Sequence, residues 1–377
     1  MKAVIAIDSF KGSMTSMQAG YAIADGIKRV YADAEICVRP IADGGEGTVD
    51  ALVTGMNGTL QSITVTGPLG KPVVAQYGII DRLKTAIIEM SAAAGITLVS
   101  DSERNPMHTT TYGVGEMIKD AVLKGCRSFI IGIGGSATND GGIGMLQALG
   151  FGILDKHGKQ VPFGAKGLEL IEEITDVNAL PELKDCVFHI ACDVTNPLCG
   201  DNGCSAVFGP QKGATASDIL LMDKWLAYFA ALSRAKFAHA NPKTPGTGAA
   251  GGLGFAFLAY LGGKLEPGIE MILKETRLEE YIKGADVVFT GEGRMDFQTA
   301  MGKAPVGVAA LAKKYGIPVL AFAGGVTKDA VECNKHGIDA FFPILRGVCT
   351  LEDAMKTENA VANLADSVEQ VMRVFAL

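Results

Sequence analysis

One loop of the sequence has a composition that suits the binding of an anion. Residues 129–144 read FIIGIGGSATNDGGIG, so an apolar run leads into glycines and small polar residues before a second apolar segment. Glycine-rich loops at the start of a helix expose N–H groups that bind phosphate. The residues that we assign to the phosphates of a nucleotide are Gly134, Gly135, Ser136, Thr138, Asn139 and Asp140. A tight strand-to-helix turn that serves packing alone is the alternative.

A second glycine-rich segment, residues 245–254, reads PGTGAAGGLG and also precedes a predicted helix. It could hold phosphate, or its glycines could let the helix pack closely against a neighbour. No segment of the chain has the P-loop spacing G-x-x-x-x-G-K-[ST], so an ordinary P-loop nucleotide site is not predicted.

Charged residues follow several apolar runs that the sequence predicts to be strands. Lys11, in DSFKGS, could neutralise a carboxylate or a phosphate, with a solvated lysine as the alternative. Asp43 and Glu46 lie in a glycine turn after the next run, where two carboxylates could bind Mg²⁺, accept hydrogen bonds from hydroxyl groups or take a proton. Because open α/β sheets bind ligands at the carboxyl ends of their strands, these positions are candidates for a substrate site.

Three further candidates lie in GEGRMDFQTAMGK, which follows the apolar run DVVFT. Arg294 can clamp a carboxylate or phosphate with its planar guanidinium group. Asp296 is a candidate base or metal ligand, and Lys303 lies at the predicted start of a helix, where cations are otherwise disfavoured. Solvated surface is the alternative for alternating charges in a loop.

Asp193 ends another apolar run, in ACDVTNPL, and Lys212 follows in FGPQKG. Asp193 could bind magnesium and Lys212 could contact phosphate, or either could belong to an Asx turn or a surface loop. Together, the candidates comprise glycine N–H groups, carboxylates and a few cations. Phosphoryl transfer around Mg²⁺ requires these groups.

The elements that must position these residues alternate at both ends of the chain. At the start, an apolar run, a helical segment opened by the capping box Thr15-x-x-Gln18 and a second apolar run predict a βαβ unit. Residues 61–90 instead contain three strand-like runs separated by short turns, which predicts an antiparallel meander. We therefore predict an α/β protein of two domains. Residues 1–66 and 290–377 form a doubly wound Rossmann- or flavodoxin-like domain, and residues 67–289 form an inserted mixed-sheet α/β domain.

The composition of the 377 residues excludes several classes of protein. Hydrophobic residues make up 48% and charged residues 20%, which is typical of a folded globular chain. The net charge of −7 and the lack of a long basic run argue against a nucleic-acid partner. The pairs C-x-x-C and H-E-x-x-H and the G-x-S-x-G elbow are also absent from the sequence. Because the first apolar run is too short for a secretory signal and no segment reads as a membrane helix, we expect a cytoplasmic protein without a membrane partner.

Taken together, these segments resemble the bacterial type I glycerate kinases. The shared stretches run in order from residue 8 to residue 309 and include DSFKGS, PIADGGEGTVDA, IIGIGGSATNDGGIGM, ACDVTNPLCG, FGPQKGA and TGEGRMDFQTAMGKAPVGVA. The resemblance implies an ATP-dependent kinase that phosphorylates D-glycerate to 2-phosphoglycerate with Mg²⁺, and an active site in a cleft between two α/β domains. A kinase of another small hydroxy or sugar acid and a non-catalytic nucleotide- or metabolite-binding protein are the alternatives.

Within this hypothesis, the glycine loop binds the phosphates of ATP. Asp193 is the expected magnesium ligand and Asp296 the expected base for the substrate hydroxyl, and both are assigned to catalysis. The other catalytic residues, expected at the glycerate carboxylate or the transferred phosphate, are Lys11 and Arg294. The residues expected to bind the substrate are Asp43 and Glu46, at its hydroxyl groups, and Lys303.

Overall fold

The structure is a computed structural model that describes residues 1–42, 44, 45 and 47–376. Its strands, in chain order, are β1 (Lys2–Ile5), β2 (Glu35–Val38), β3 (Thr59–Thr66), β4 (Pro72–Ile80), β5 (Thr85–Glu89), β6 (Ser128–Gly132), β7 (Gly152–Leu154), β8 (Glu173–Thr175), β9 (Val187–Ala191), β10 (Lys264–Glu266), β11 (Val287–Met295), β12 (Val319–Val326) and β13 (Ala340–Pro343). Its α-helices are α1 (Ser16–Lys28), α2 (Thr48–Met56), α3 (Ser91–Ala94), α4 (Tyr112–Leu123), α5 (Ile143–Ala148), α6 (Ala165–Leu168), α7 (Cys204–Phe208), α8 (Ala216–Arg234), α9 (Ala249–Leu261), α10 (Gly268–Glu275), α11 (Leu278–Ile282), α12 (Phe297–Ala300), α13 (Ala304–Lys313), α14 (Leu351–Met355) and α15 (Thr357–Phe375).

The described residues divide into two compact units. Unit 1 comprises those within 1–43, 50–56 and 269–377, and unit 2 comprises those within 44–49 and 57–268. This division differs from the predicted boundaries after residues 66 and 289. β3 pairs with β4 and so lies in the sheet of unit 2, whereas β11 pairs with β1 and lies in unit 1. That the active site lies in a cleft between two domains stays a prediction.

The sheet of unit 1 is parallel and has the order β13-β12-β11-β1-β2. Numbered within this unit, that is the flavodoxin-like order, and ligands of such sheets bind at the carboxyl ends of the strands. The predicted capping box of α1, formed by Thr15 and Gln18, is confirmed. α1 packs closely on α15 because Gly26 has no side chain; a β-carbon there would lie 2.4 Å from the carbonyl oxygen of Ala365.

The main sheet of unit 2 is mixed and has the order β10-β9-β6-β5-β4-β3. β3, β4 and β5 form the predicted antiparallel meander, whereas β5, β6, β9 and β10 are parallel neighbours. Phe129 of β6 stacks on Phe188 of β9 in the core, with ring centroids 4.8 Å apart. Glu89, Gly132 and Ala191 end β5, β6 and β9 in register, so the loops that follow leave from one edge of the sheet.

Both units are α/β, and the predicted fold class is confirmed. The helix predicted after the glycine-rich segment 245–254 is confirmed as well; it is α9, which is largely buried. Residues Lys328–His336 form a 3-10 helix, and their Asp, Cys and Asn residues are weak α-helix formers. No α-helix in the described ranges has both the length and the apolar character that a membrane span requires.

Candidate active site

The glycine loop, residues 133–142, follows the central strand β6 of unit 2. Gly134 and Gly135 are exposed, and Gly135 has a positive φ of 71°. The described atom nearest to a β-carbon on Gly134 would be 3.8 Å away, and the one nearest to a β-carbon on Gly135 would be 3.6 Å away. Because both residues are exposed and lack side chains, a ligand can approach their backbone.

Asp140, at the other end of the loop, is fully buried. Its carboxylate accepts hydrogen bonds from Thr111 N (2.9 Å), Thr111 Oγ1 (2.9 Å), Gly142 N (3.0 Å) and Gly144 N (3.4 Å). Burial raises the pKa of this carboxyl group, and the hydrogen bonds oppose that rise. Two N–H groups at the start of α5, those of Gly142 and Gly144, are thus bonded to an acidic side chain of the chain itself. This placement differs from the predicted phosphate contact, because Asp140 has no exposed surface.

Thr138 and Asn139 are also fully buried. Asn139 Nδ2 donates to Ser205 Oγ at 2.8 Å, and the carbonyl oxygen of Thr138 accepts from Lys212 Nζ at 2.6 Å. These bonds fasten the underside of the loop to α7 and to the 3-10 helix Pro210–Lys212. Of the residues assigned to phosphate, the structure therefore leaves Gly134 and Gly135 open to a ligand, with the 8% exposed Ser136 beside them.

Lys212 lies beneath this part of the loop. Its Nζ also donates to Ser136 Oγ at 2.7 Å, and the residue is only 2% exposed. It forms no salt bridge with a carboxylate of the described chain, and burial lowers its pKa to about 8. The surface-loop interpretation of Lys212 is therefore wrong, while its role toward phosphate stays a prediction.

The second glycine-rich segment packs against the first. Gly141 N donates to the carbonyl oxygen of Gly251 at 2.9 Å. A β-carbon on Gly251 would lie 2.1 Å from the carbonyl oxygen of Thr138. Residues 246–251 also have the spacing G-x-G-x-x-G. Because Gly251 faces neighbouring backbone and not open space, the structure favours the packing alternative for this segment.

Two carboxylates lie at the same edge of the sheet as the glycine loop. Asp193, which follows β9, is exposed, and its Oδ1 accepts from Gly268 N at 2.8 Å. Glu89 ends β5, and its Oε1 accepts from Val49 N at 2.8 Å. Each side chain is held by a backbone N–H group, so its orientation is fixed relative to the sheet.

Asp43 and Glu46, predicted to orient the hydroxyl groups of the substrate, lie outside the described residues. Gly44, between them, belongs to unit 2 and lies against the ends of β6 and β9. A β-carbon on Gly132 would come within 2.2 Å of its carbonyl oxygen, and one on Gly44 within 2.6 Å of Ala191 Cβ. Glycine at both positions allows this close approach.

Arg294 and Asp296 lie together at the carboxyl end of β11 in unit 1. Arg294 Nε is 3.6 Å from Asp296 Oδ2, and the arginine side chain is 71% exposed. Asp296 Oδ1 accepts from Gln298 N at 2.9 Å, so Asp296 is the N-cap of α12. The pair thus places an oriented carboxylate beside an exposed cation, and the roles predicted for these two residues stay predictions.

Lys11 and Lys303 lie near the same strand. Lys303 Nζ is 4.0 Å from Glu292 Oε2, and Glu292 Oε1 accepts from Thr299 Oγ1 at 2.6 Å. Lys11 is exposed, and a β-carbon on Gly293 would lie 3.4 Å from its backbone nitrogen. The predicted residues thus form two groups, one around β11 in unit 1 and the other around the glycine loop in unit 2.

Comparison with known proteins adds to this geometry. A model of the glycerate kinase family matches residues 3–376 of the chain. The chain belongs to the glycerate kinase family. Glycerate 2-kinase of Escherichia coli (strain K12) is 48% identical over 94% of this chain and 93% of its own. Glycerate kinase of Haemophilus influenzae is 48% identical over 100% of this chain and 99% of its own. A crystal structure of a protein from Salmonella typhimurium LT2 is 44% identical, covers 100% of this chain and 98% of that one, and superposes with a TM-score of 0.92.

In this member of the glycerate kinase family, three acidic side chains that are not among the predicted site residues also lie at or near the strand ends. Glu292 is 9% exposed and Asp8 is 6% exposed, and Glu89 lies at the sheet edge described above. Asp8 Oδ1 accepts from Ser9 N at 2.6 Å, and Asp8 N donates to the carbonyl oxygen of Gly291 at 3.0 Å. The signal that could have found them is their position at or near strand ends within apolar surroundings.

Magnesium is the metal that the resemblance implies. The part of the chain that the structure describes holds no group of three His, Cys, Asp or Glu side chains able to bind a metal ion. Mg²⁺ in kinase sites usually takes only one or two carboxylates, and phosphate and water supply the remaining oxygens. The exposed carboxylate of Asp193, at the same sheet edge as the glycine loop, fits such a site.

Proposed function

We propose that this member of the glycerate kinase family transfers the γ-phosphoryl group of ATP to D-glycerate and forms 2-phosphoglycerate. The observation that carries the proposal is the match over essentially the whole chain, at 48% identity, to proteins named glycerate 2-kinase and glycerate kinase. The described side chains supply the chemistry of the reaction, since catalysis of phosphoryl transfer consists mainly of positioning and charge stabilisation.

The phosphates of ATP bind at Gly134, Gly135 and Ser136. The first two residues offer an open backbone, and the third contributes a hydroxyl group beside them. Thr138 and Asn139 hold the underside of the loop through the hydrogen bonds described above. A loop held from beneath keeps its geometry when an anion binds, so little binding energy is lost in ordering it.

Asp193 would hold Mg²⁺ together with phosphate oxygens. The ion, when bound, would neutralise part of the negative charge on the phosphates. The hydrogen bond from Gly268 N to Asp193 Oδ1 orients the carboxylate before ligands arrive.

Asp296 is the proposed base for the hydroxyl group of glycerate. It takes the hydroxyl proton as the new bond from oxygen to the γ-phosphorus forms and the bond to the β-phosphate oxygen breaks, which releases ADP. Its hydrogen bond from Gln298 N fixes the carboxylate. Arg294 and Lys11 bind the glycerate carboxylate or the transferred phosphate. The remaining substrate contacts are assigned to Lys303 and, outside the described residues, to Asp43 and Glu46.

A coupled assay tests this function. Purified protein is mixed with ATP, Mg²⁺ and D-glycerate, and enolase, pyruvate kinase, lactate dehydrogenase, ADP and NADH report 2-phosphoglycerate when phosphoglycerate mutase is omitted. We expect NADH loss that requires both glycerate and enolase. Phosphorus NMR of the same mixture identifies the position of the new phosphoester.

Two results would contradict the proposal in different ways. A phosphoester that enolase does not use would mean that the position or the substrate is different, and another hydroxy or sugar acid would then be sought by competition. ATP that remains intact in the presence of glycerate would favour a binding protein without turnover. We also propose that the reaction takes place in the cytoplasm.

A further inference from the structure

Lys212 is a buried cation without a carboxylate partner within 4 Å in the described chain. Its ammonium group donates to two neutral oxygens, Ser136 Oγ at 2.7 Å and the carbonyl oxygen of Thr138 at 2.6 Å. An ammonium ion removed from water without an opposite charge destabilises a fold. Because an uncharged side chain at this position would avoid that cost, the charge points to a function.

The backbone holds Lys212 in place. It ends the 3-10 helix Pro210–Lys212, and Gly213 follows with a φ of 91°. A β-carbon on Gly213 would lie 2.2 Å from the carbonyl oxygen of Arg104, so the turn is closely packed. Ser205 of α7 accepts the hydrogen bond from Asn139 a few residues earlier. Two separate links therefore tie this segment to the underside of the glycine loop.

We propose that Lys212 is a positioning residue of the nucleotide site. Because Lys212 Nζ donates to Ser136 Oγ, the hydroxyl hydrogen of Ser136 points away from the lysine and is available to a phosphate oxygen. The ammonium group also places a positive charge behind Ser136 and its neighbours Gly134 and Gly135. The inference rests on the proposed function in one respect, namely that the phosphates of ATP bind at these three residues.

The charge of Lys212 changes within an accessible pH range. Burial lowers the pKa of Lys212 to about 8, and the titratable groups that face it are Cys204 of α7 and Asp140 of the glycine loop, each of which would favour the ammonium form when negatively charged. Burial raises the pKa of the Cys204 thiol to about 11, so that thiol stays neutral below this pH. Below pH 8 the ammonium group is charged and attracts phosphate. As the pH rises through 8, the proton is lost and the attraction is lost with it.

The unliganded fold should respond to pH in the opposite sense. The pKa of Lys212 in the folded chain lies below the ordinary value of about 10.4 that applies when the chain is unfolded. Between these two values the unfolded chain binds more protons, so the contribution of this residue to stability rises with pH. The role proposed for Lys212 therefore predicts that, as the pH falls, phosphate binding becomes tighter while the unliganded protein becomes less stable. A lysine with a purely structural role would not change phosphate binding in this way.

The experiment measures nucleotide affinity of the full-length protein between pH 7 and pH 9 with the fluorescent probe N-methylanthraniloyl-ADP. Wild-type protein should bind it about tenfold more weakly at pH 9 than at pH 7, because the charged fraction of a group of pKa 8 falls about tenfold over this range. Lys212→Met should weaken binding at pH 7 by about 10- to 100-fold, as expected for charges about 6 Å apart at an effective dielectric constant of about 20. Its pH dependence should be flat, and its unfolding midpoint should not fall below that of wild type.

Lys224→Met is the matched control, because Lys224 is an exposed lysine of α8. Steady-state kinetics of Lys212→Met should show a raised KM for ATP and a KM for glycerate within about twofold of wild type. Unchanged nucleotide affinity, or a change confined to glycerate, would overturn the proposal. If Lys212→Met does not fold, the wild-type profile decides, and constant affinity from pH 7 to pH 9 overturns it. Wild-type protein that binds the probe with the expected pH dependence but does not phosphorylate glycerate would refute the proposed function and support the role of Lys212.

Discussion

Replacement of Asp140 by asparagine should destabilise unit 2 without any ligand being present. Asparagine preserves the shape of the side chain but replaces one acceptor oxygen by an NH₂ group. With that group at the Oδ1 position, the N–H of Gly142 faces a donor, and the remaining oxygen still accepts from Thr111 and Gly144. Each unsatisfied buried donor costs about 1–3 kcal/mol, and loss of the charge weakens the other bonds. We expect a loss of about 2–5 kcal/mol, a large share of the stability of an ordinary domain.

Urea unfolding followed by tryptophan fluorescence measures this loss in the relevant unit. The sequence contains a single tryptophan, and Trp225 is 7% exposed on α8 of unit 2. With an m-value of about 2–3 kcal/mol per molar urea, the midpoint of Asp140→Asn should fall by about 1–2 M. Asp155→Asn is the control, because Asp155 accepts hydrogen bonds from His157 N and Lys159 N in an exposed turn. Its midpoint should stay at the wild-type value.

The opposite pattern would refute the reasoning. A residue that contacts ligand can be replaced with no loss of stability, and often with a gain. If Asp140→Asn unfolds at the wild-type urea concentration and only nucleotide affinity falls, then Asp140 faces the phosphates, as the sequence predicts, and its hydrogen bonds are of minor importance. Both measurements should therefore be made on the same preparation.

Three further predictions follow from the same structure. Gly251→Ala should lower the free energy of unfolding in urea by about 2–4 kcal/mol, because the new β-carbon would meet the carbonyl oxygen of Thr138. Gly262 has a similar φ of 63° and no described atom within 4 Å of its β-carbon position, so Gly262→Ala is the control and should lower it by only about 1–2 kcal/mol. Equal losses would contradict the packing role of Gly251. Asp296→Asn should lower kcat about 10²- to 10⁴-fold with an unchanged unfolding midpoint, because asparagine is also a good N-cap; a kcat near that of wild type would exclude Asp296 as the base. Arg294→Met should raise the KM for glycerate and leave stability unchanged, since an ion pair with a 71% exposed arginine contributes little; an unaltered KM would remove Arg294 from the substrate site.

Local elements of this fold can be predicted from the sequence because their signals are local. The capping box at Thr15 and Gln18 and the meander of residues 61–90 depend on neighbours within a few positions, and both are confirmed. The division of the chain depends on strand pairing over long distances. β3 joins the sheet of unit 2 and β11 the sheet of unit 1 through partners that no local pattern reveals.

The candidate site is less predictable for a related reason. Asp140, Thr138 and Asn139 have residue types suited to phosphate, but their side chains or carbonyl groups face the interior. Lys212 has the residue type of a solvated surface, yet it is buried beneath the loop. Residue type states which hydrogen bonds a side chain can form, whereas burial decides which partner it finds, and burial depends on elements distant in sequence.

The glycine content illustrates this distinction. The chain has 48 glycines, an excess that predicts ligand loops. In the structure, Gly251 and Gly213 are required because neighbouring backbone lies within 2.2 Å of where a β-carbon would be. A β-carbon on Gly134 or Gly135 would instead meet its nearest described atom at an ordinary contact distance, 3.8 Å and 3.6 Å respectively. Only the second arrangement leaves the backbone accessible to a phosphate. The glycines that favour a nucleotide site are therefore those without close backbone neighbours at the β-carbon position. Their neighbour Ser136 is the residue to which Lys212 donates a hydrogen bond.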